Sequence, residues 1–200
     1  MAFTVAILLA STTGARAQHP GNVAINPYGG ALIFDDGAVN DLGLEVDVGP
    51  IVGGRLIVSL QGNWRLFGAY GYAPLNMEAS QFVVEQPVTQ LDINSHIFYG
   101  GFEYNLLSRV APTTLLLSAG AGGIVFDLEG VDDETDFLLS VGAGLTHGAS
   151  DRITFRAEVR DHIVFCTSEA QGVVERVAAC FSDETLNHFE VSGGIEIWAF

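Results

Sequence analysis

Apolar and polar residues alternate along most of this chain with a period of two, the mark of strands whose faces meet different surroundings. INPYGGALIFD sets Tyr28, Leu32 and Phe34 on one face. GGRLIVSLQ sets Leu56, Val58 and Leu60 against Arg55, Ser59 and Gln61, and NWRLFGAYGY sets Trp64, Leu66, Tyr70 and Tyr72 against Arg65, Phe67 and Ala69. HIFYGGFEYNL opposes Phe98, Phe102, Tyr104 and Leu106 to Tyr99, Glu103 and Asn105. TTLLLSAGAGGIVF opposes Leu115, Leu117, Ala119 and Val125 to Thr114, Ser118, Gly120 and Gly122. FLLSVGAGLTHG divides Phe137, Leu139, Val141 and Leu145 from Ser140, Gly142, Gly144 and Thr146. RITFRAEVRDHIVF, the clearest case, separates Ile153, Phe155, Ala157 and Val159 from Thr154, Arg156, Glu158, Arg160 and His162. HFEVSGGIEIWAF separates Phe189, Val191, Ile195 and Ile197 from Glu190, Ser192 and Glu196. These segments predict eight strands.

The connections carry a second pattern. They are short around 61–63, 107–112 and 148–151, and longer at 35–51, 73–94, 127–136 and 165–187. Strict alternation of long and short predicts an antiparallel up-and-down meander whose two rims face different compartments. The fold class is all-β, one eight-stranded antiparallel up-and-down β-barrel. A chain of 200 residues has room for one such sheet and little else.

Alternation alone does not say whether the apolar face points to a core or outward into lipid. Composition decides. The chain is 48 % hydrophobic and only 16 % charged, against about a quarter charged in soluble domains. It contains no lysine, and its polar strand positions are mostly Gly, Ser and Thr with a few Arg and Glu, which suit a cramped interior. Arg55, Arg65, Arg152, Arg156 and Arg160 fall on the polar face with Glu103, Glu158, Glu190 and Glu196. Inside a narrow barrel such groups satisfy one another through charge-assisted hydrogen bonds, whereas unpaired charge costs several kcal/mol. The expected interior polar plug is Arg55, Arg65, Glu103, Arg156, Glu158, Arg160 and Glu190. On the apolar face, Trp64 and Tyr72 are spaced to lie roughly 20 Å apart along a tilted barrel, comparable to the ~25 Å apolar band bounded by aromatic girdles.

MAFTVAILLASTTGARAQ has an apolar core from Val5 to Ala10 and the small-x-small pattern Ala15-Arg16-Ala17, so residues 1–17 are expected to be a signal peptide and 18–200 the barrel. No later segment approaches the ~20 apolar residues of a spanning helix. Cys166 and Cys180 lie in one segment of a chain that looks exported; a local disulfide is expected, with free buried thiols as the alternative.

Taken together, the export signal, eight alternating segments, long and short connections, the RITFRAEVRDH strand and terminal Phe200 resemble the small eight-stranded bacterial outer-membrane barrels of the OmpA/OmpX-like class. The resemblance covers Gln18 to Phe200. It implies a transmembrane, porin-like β-barrel in the bacterial outer membrane, with long loops extracellular and both termini periplasmic. It also implies that Trp198 and Phe200 form the assembly signal read by the barrel-assembly machinery. Both share parity with Glu190 and Glu196 rather than with the apolar residues, so a bulge near Trp198, or an end that turns to the interface, is expected to reconcile them.

Most of the 24 acidic residues fall in the long connections, opposed there by Arg176 alone, and the net charge is −16. A negative rim disfavours nucleic acid and anionic partners. DLEGVDDETD carries enough carboxylates to attract divalent cations, without EF-hand spacing. No catalytic residue, cofactor or resident metal is assigned. Asp161, His162 and His188 lie toward the long-loop end without a serine at diagnostic spacing, and GAGGIV lacks the Lys and helix of a phosphate loop. The reading is a non-enzymatic, monomeric barrel with a structural or surface-interaction role, its partners being outer-membrane lipid and the assembly machinery. A rim-located lipid-modifying enzyme and a secreted lipocalin-like ligand-binding barrel are the alternatives.

Overall fold

The computed structural model describes residues 22–33, 44–46, 48–79, 91–106, 112–128, 134–165 and 185–199. The signal-peptide expectation for 1–17, Phe34, Cys166, Cys180, Phe200 and much of the long connections lie outside the described residues. Among the described residues the strands are β1 (Val23–Ile33), β2 (Leu44–Val46), β3 (Gly49–Ser59), β4 (Trp64–Ala79), β5 (Leu91–Asn105), β6 (Thr113–Leu128), β7 (Glu134–Gly148), β8 (Ile153–Phe165) and β9 (Thr185–Ala199). The eight long ones pair antiparallel with their sequence neighbours, and β1 pairs with β9 to close the ring. β2 is a short addition beside the far end of β4, at Glu45↔Glu78.

The strands run further toward the long connections than alternation predicts. β4 reaches Ala79 and β5 starts at Leu91, while β6 and β7 extend to Leu128 and from Glu134. Asp136, expected in a loop, is a fully buried β7 residue opposite Ile124.

On seven of the eight long strands the expected faces are the observed ones. Leu56, Leu117, Val141, Phe155 and Val191 point outward, half exposed, while Arg55, Ser118, Ser140, Arg156 and Glu190 point inward and are buried. β1 differs: Tyr28 and Leu32, read as part of the apolar wall, are buried inside, and Ile25 and Ile33 face out. Register is the physical reason, because Tyr28 lies opposite Gly53 and Leu32 opposite Gly49, both inward positions of β3. The ring of Tyr28 fills the space those positions leave. A Cβ built on Gly53 would come within 2.6 Å of Tyr28 Cζ and 2.3 Å of the Tyr70 carbonyl oxygen, so Gly53→Val should lower the denaturation midpoint, by an overpacking cost of about 1–3 kcal/mol. Denaturant titration of the folded barrel measures it.

Two further expectations are corrected. Arg152 lies in the exposed turn before β8 and takes no place in the interior. No bulge intervenes at Trp198: it pairs with Ala24, its amide donates to the Arg152 carbonyl at 2.9 Å, and its indole is buried inside.

The interior is not polar throughout. Leu32, Ile51, Ala73, Ile97, Ile124, Leu138 and Val164 are buried to within 1 % toward the long-loop end and join Tyr28, Phe67 and Tyr99 in one apolar cluster. Ala24, Ile57 and Trp198 belong to the same cluster from the short-turn half of their strands. The charged groups therefore sit in the middle of a lumen with apolar packing toward both ends.

Candidate functional site

Strand β8 builds the centre of the site. Thr154, Arg156, Glu158, Arg160 and His162 occupy alternate positions, so a straight strand sends all five inward. Register adds the partners: Arg65 pairs with Glu103 between β4 and β5, and Arg160 with Glu190 between β8 and β9. Lengthy side chains then reach across the lumen to strands that are not neighbours.

Arg156 is the hub. Its Nη1 donates to Glu103 Oε2 and Glu196 Oε1, each at 3.1 Å, its Nε to Glu158 Oε2 at 3.1 Å, and its Nη2 to Glu103 Oε1 and Glu158 Oε2. Arg65 lies 2.7 Å from Glu103 Oε2 and 3.1 Å from Glu196 Oε2. Arg55, on the facing wall, donates to Glu158 at 2.9 Å and to the Tyr99 hydroxyl at 3.2 Å. Arg160 binds Glu158 and donates to Ser118 Oγ at 3.0 Å and Ser140 Oγ at 2.9 Å. His162 Nε2 approaches Glu190 Oε2 at 3.1 Å.

The four guanidinium groups Arg55, Arg65, Arg156 and Arg160 thus face the four carboxylates Glu103, Glu158, Glu190 and Glu196, and the charges cancel. Balance matters because taking each ion out of water costs several kcal/mol, which only close, well-bonded partners repay. Aromatic faces add to it: Arg55 stacks over Tyr28 and Phe67 at 5.3 and 5.5 Å, and Arg160 over Tyr99 at 4.9 Å. A small residue makes the room. A Cβ on Gly142 would lie 2.8 Å from Ser118 Oγ and 3.0 Å from Glu158 Oε1. Gly142→Val should therefore lower stability by about 1–3 kcal/mol, measurable as a shift in the urea midpoint.

Six of the seven residues expected in the plug join one salt-bridge network, and the seventh, Glu190, lies beside it as the register partner of Arg160 and bonds to His162 at the long-loop edge. Glu196 belongs to the core of the plug, and Tyr99, Ser118 and Ser140 were missed as partners although their parity places them on the inward face. Asp161 and His162 separate to opposite faces; His162 and His188 are buried at 0 and 2 % exposure, paired in register inside the wall. Among the described residues no group of three or more His, Cys, Asp or Glu is arranged to hold a metal ion.

Outside, the wall has its own order. Trp64 and Tyr104 contact at 4.9 Å between ring centres, and the Thr113 hydroxyl meets His147 Nδ1 at 2.8 Å toward the short turns. Toward the long loops, Tyr70 and Tyr72 surround His96. Between these levels the outward side chains are apolar on most strands. A soluble ligand-binding barrel has the reverse arrangement, with the apolar face turned inward.

A closed ring of eight antiparallel strands with an ionic centre and a greasy outer wall defines the small eight-stranded outer-membrane barrel fold. Solved structures place it among particular neighbours. Neisserial surface protein A is similar with a TM-score of 0.57 at 12 % identity, over 88 % of this chain and 96 % of that one. The outer membrane protein OprG from Pseudomonas aeruginosa is similar with a TM-score of 0.54 at 10 % identity, over 91 % of this chain and 95 % of that one. No family model and no curated protein sequence matches the chain.

Proposed function

We propose that this chain spans the bacterial outer membrane as a monomeric, non-enzymatic barrel with a structural or surface-interaction role. One observation carries the reading. Large apolar side chains stand half exposed on every long strand, from Ile25 on β1 and Leu56 on β3 through Leu66, Phe102, Leu117, Val141 and Phe155 to Val191 on β9. A contiguous apolar surface of that extent is foreign to a monomeric soluble protein and matches the lipid-facing band of an outer-membrane barrel.

The long connections are extracellular and both termini periplasmic in this reading. The last strand, with Trp198 and Phe200, is what the assembly machinery engages before β9 closes against β1. Acidic loops on one rim make divalent cations and cationic surfaces the favoured contacts there. The lumen is shut to free diffusion, because salt bridges fill its middle and aliphatic side chains its ends. Cell fractionation followed by gel migration with and without boiling tests the proposal. Outer-membrane recovery with boiling-dependent mobility is expected; a mature chain in the soluble periplasmic fraction would overturn it.

A further inference from the structure

Among the described residues one seam of the ring is interrupted, the one where β1 meets β9. Pairs run from Val23↔Ala199 to Ile25↔Ile197 and resume at Tyr28↔Gly194, which leaves Asn26 and Pro27 opposite Glu196 and Ile195 without a ladder pair. The other seams of the ring run unbroken. The cause lies in the chain. The Asn22 carbonyl accepts from the Ser59 amide at 2.9 Å, so the N–H and C=O of even-numbered β1 residues turn to β3 and those of odd-numbered ones to β9. Pro27 has no N–H, so the bond its position owes to β9 does not form. Its carbonyl is approached by Asn26 Nδ2 at 3.4 Å. Side chains do not bridge the gap either. Two residues further on, Gly29 pairs with Gly193, and a Cβ there would meet nothing closer than 3.6 Å on Gly29 or 3.7 Å on Gly193. Space does not demand glycine at these two positions, yet the cross-strand side-chain contact that stabilises a sheet is missing.

We infer that this seam is a lateral opening built into the folded barrel: β1 and β9 part at 26–27 and 195–196 while the other seams stay closed, and water reaches the ionic plug from the side. Local openings of a folded protein begin at its least-bonded segments, and here a missing ladder bond and a bare glycine pair coincide. Glu196 is what the opening uncovers. It stands opposite Asn26, and its carboxylate lies 3.1 Å from Arg65 Nη1 and 3.1 Å from Arg156 Nη1. Glu103 offers an internal comparison. It is as deeply buried and binds the same two guanidinium groups, but its strand β5 pairs with β4 and β6 in unbroken seams.

Two readouts on the full chain folded in detergent micelles test the opening. The Trp198 amide donates to the Arg152 carbonyl before β8, so those of Gly193 and Ile195 turn to β1; the Gly148 amide donates to Pro112 before β6, so those of Ser140 and Gly142 turn to β6. The Gly193 and Ile195 amides are expected to exchange with deuterium about tenfold faster than those of Ser140 and Gly142. A water-soluble carbodiimide with an added amine should modify Glu196 several-fold more than Glu103, as read by peptide mass mapping. Pro27→Val, which supplies the N–H, should bring both ratios down toward unity. Gly29→Ala with Gly193→Ala is a second variant expected to lower them, while Gly68→Ala, with open space around its Cβ on β4, leaves both unchanged. Equal exchange at the two seams, equal modification of the two glutamates, or ratios that neither seam variant moves would overturn the inference.

Discussion

Arg156→Met should destabilise the barrel by about 3–5 kcal/mol, the typical cost of leaving a buried charge uncompensated. Arg156 donates to Glu103, Glu158 and Glu196, and each of these carboxylates is almost fully buried. Without it, Arg55, Arg65 and Arg160 face four carboxylates, and one negative charge is left over. Restoring the balance should recover part of the loss: adding Glu103→Gln removes the acid that Arg156 engages through two oxygens. Urea unfolding of the single and double variants in lipid vesicles gives a double-mutant cycle. A coupling of about 0.5–3 kcal/mol is expected for groups in one network, whereas purely additive losses would show that the two act independently.

The second large effect lies on the other face. Val141 is half exposed in mid-strand on β7, between outward Leu139 and Leu145. Placing a guanidinium there puts it near the middle of the hydrocarbon, so Val141→Arg should cost about 2–4 kcal/mol in a bilayer. The same exposure in water predicts a change within about 0.5 kcal/mol. Ala149→Arg, in the exposed turn between β7 and β8, is the control expected to be near neutral in both cases. Stability measured in vesicles separates the two environments, since only lipid makes the Val141 substitution expensive.

Much of this architecture was legible in the chain because period-two alternation in a barrel is enforced by two incompatible solvents. RITFRAEVRDH could hardly fold otherwise: its guanidinium and carboxyl groups share one parity and its greasy residues the other. The charge cluster was legible for the same reason, as Arg and Glu residues sharing the inward parity, whereas which Arg meets which Glu depends on strands that are distant in the chain. Alternation failed where both faces are apolar. Leu138 and Leu139, or Ile163 and Val164, look alike in sequence, yet Leu138 and Val164 pack inside while their neighbours face out. The aliphatic packing of the lumen is therefore invisible to a rule that equates apolar with outward. Tyr28 and Leu32 were misassigned on the same ground.

Loop boundaries failed differently. Asn94, Asp127 and Asp136 have turn-like chemistry, but the barrel wall continues past the apolar band, so its strands carry polar residues without ending. Parity correctly set Trp198 with Glu196 rather than with Ile195 and Ile197, and the expected bulge was unnecessary because an indole fits inside the barrel end.

The chain's two tryptophans offer the most direct test of which face meets lipid, since Trp64 stands on the outer wall at 49 % exposure and Trp198 inside at 6 %. Reconstituted into vesicles containing brominated phospholipid, Trp198→Phe, which leaves only Trp64 to emit, should be strongly quenched. Trp64→Phe, emitting from Trp198, should be nearly unaffected. Quenching of Trp198 by the brominated chains, with Trp64 reached only by a water-soluble quencher, would contradict the account.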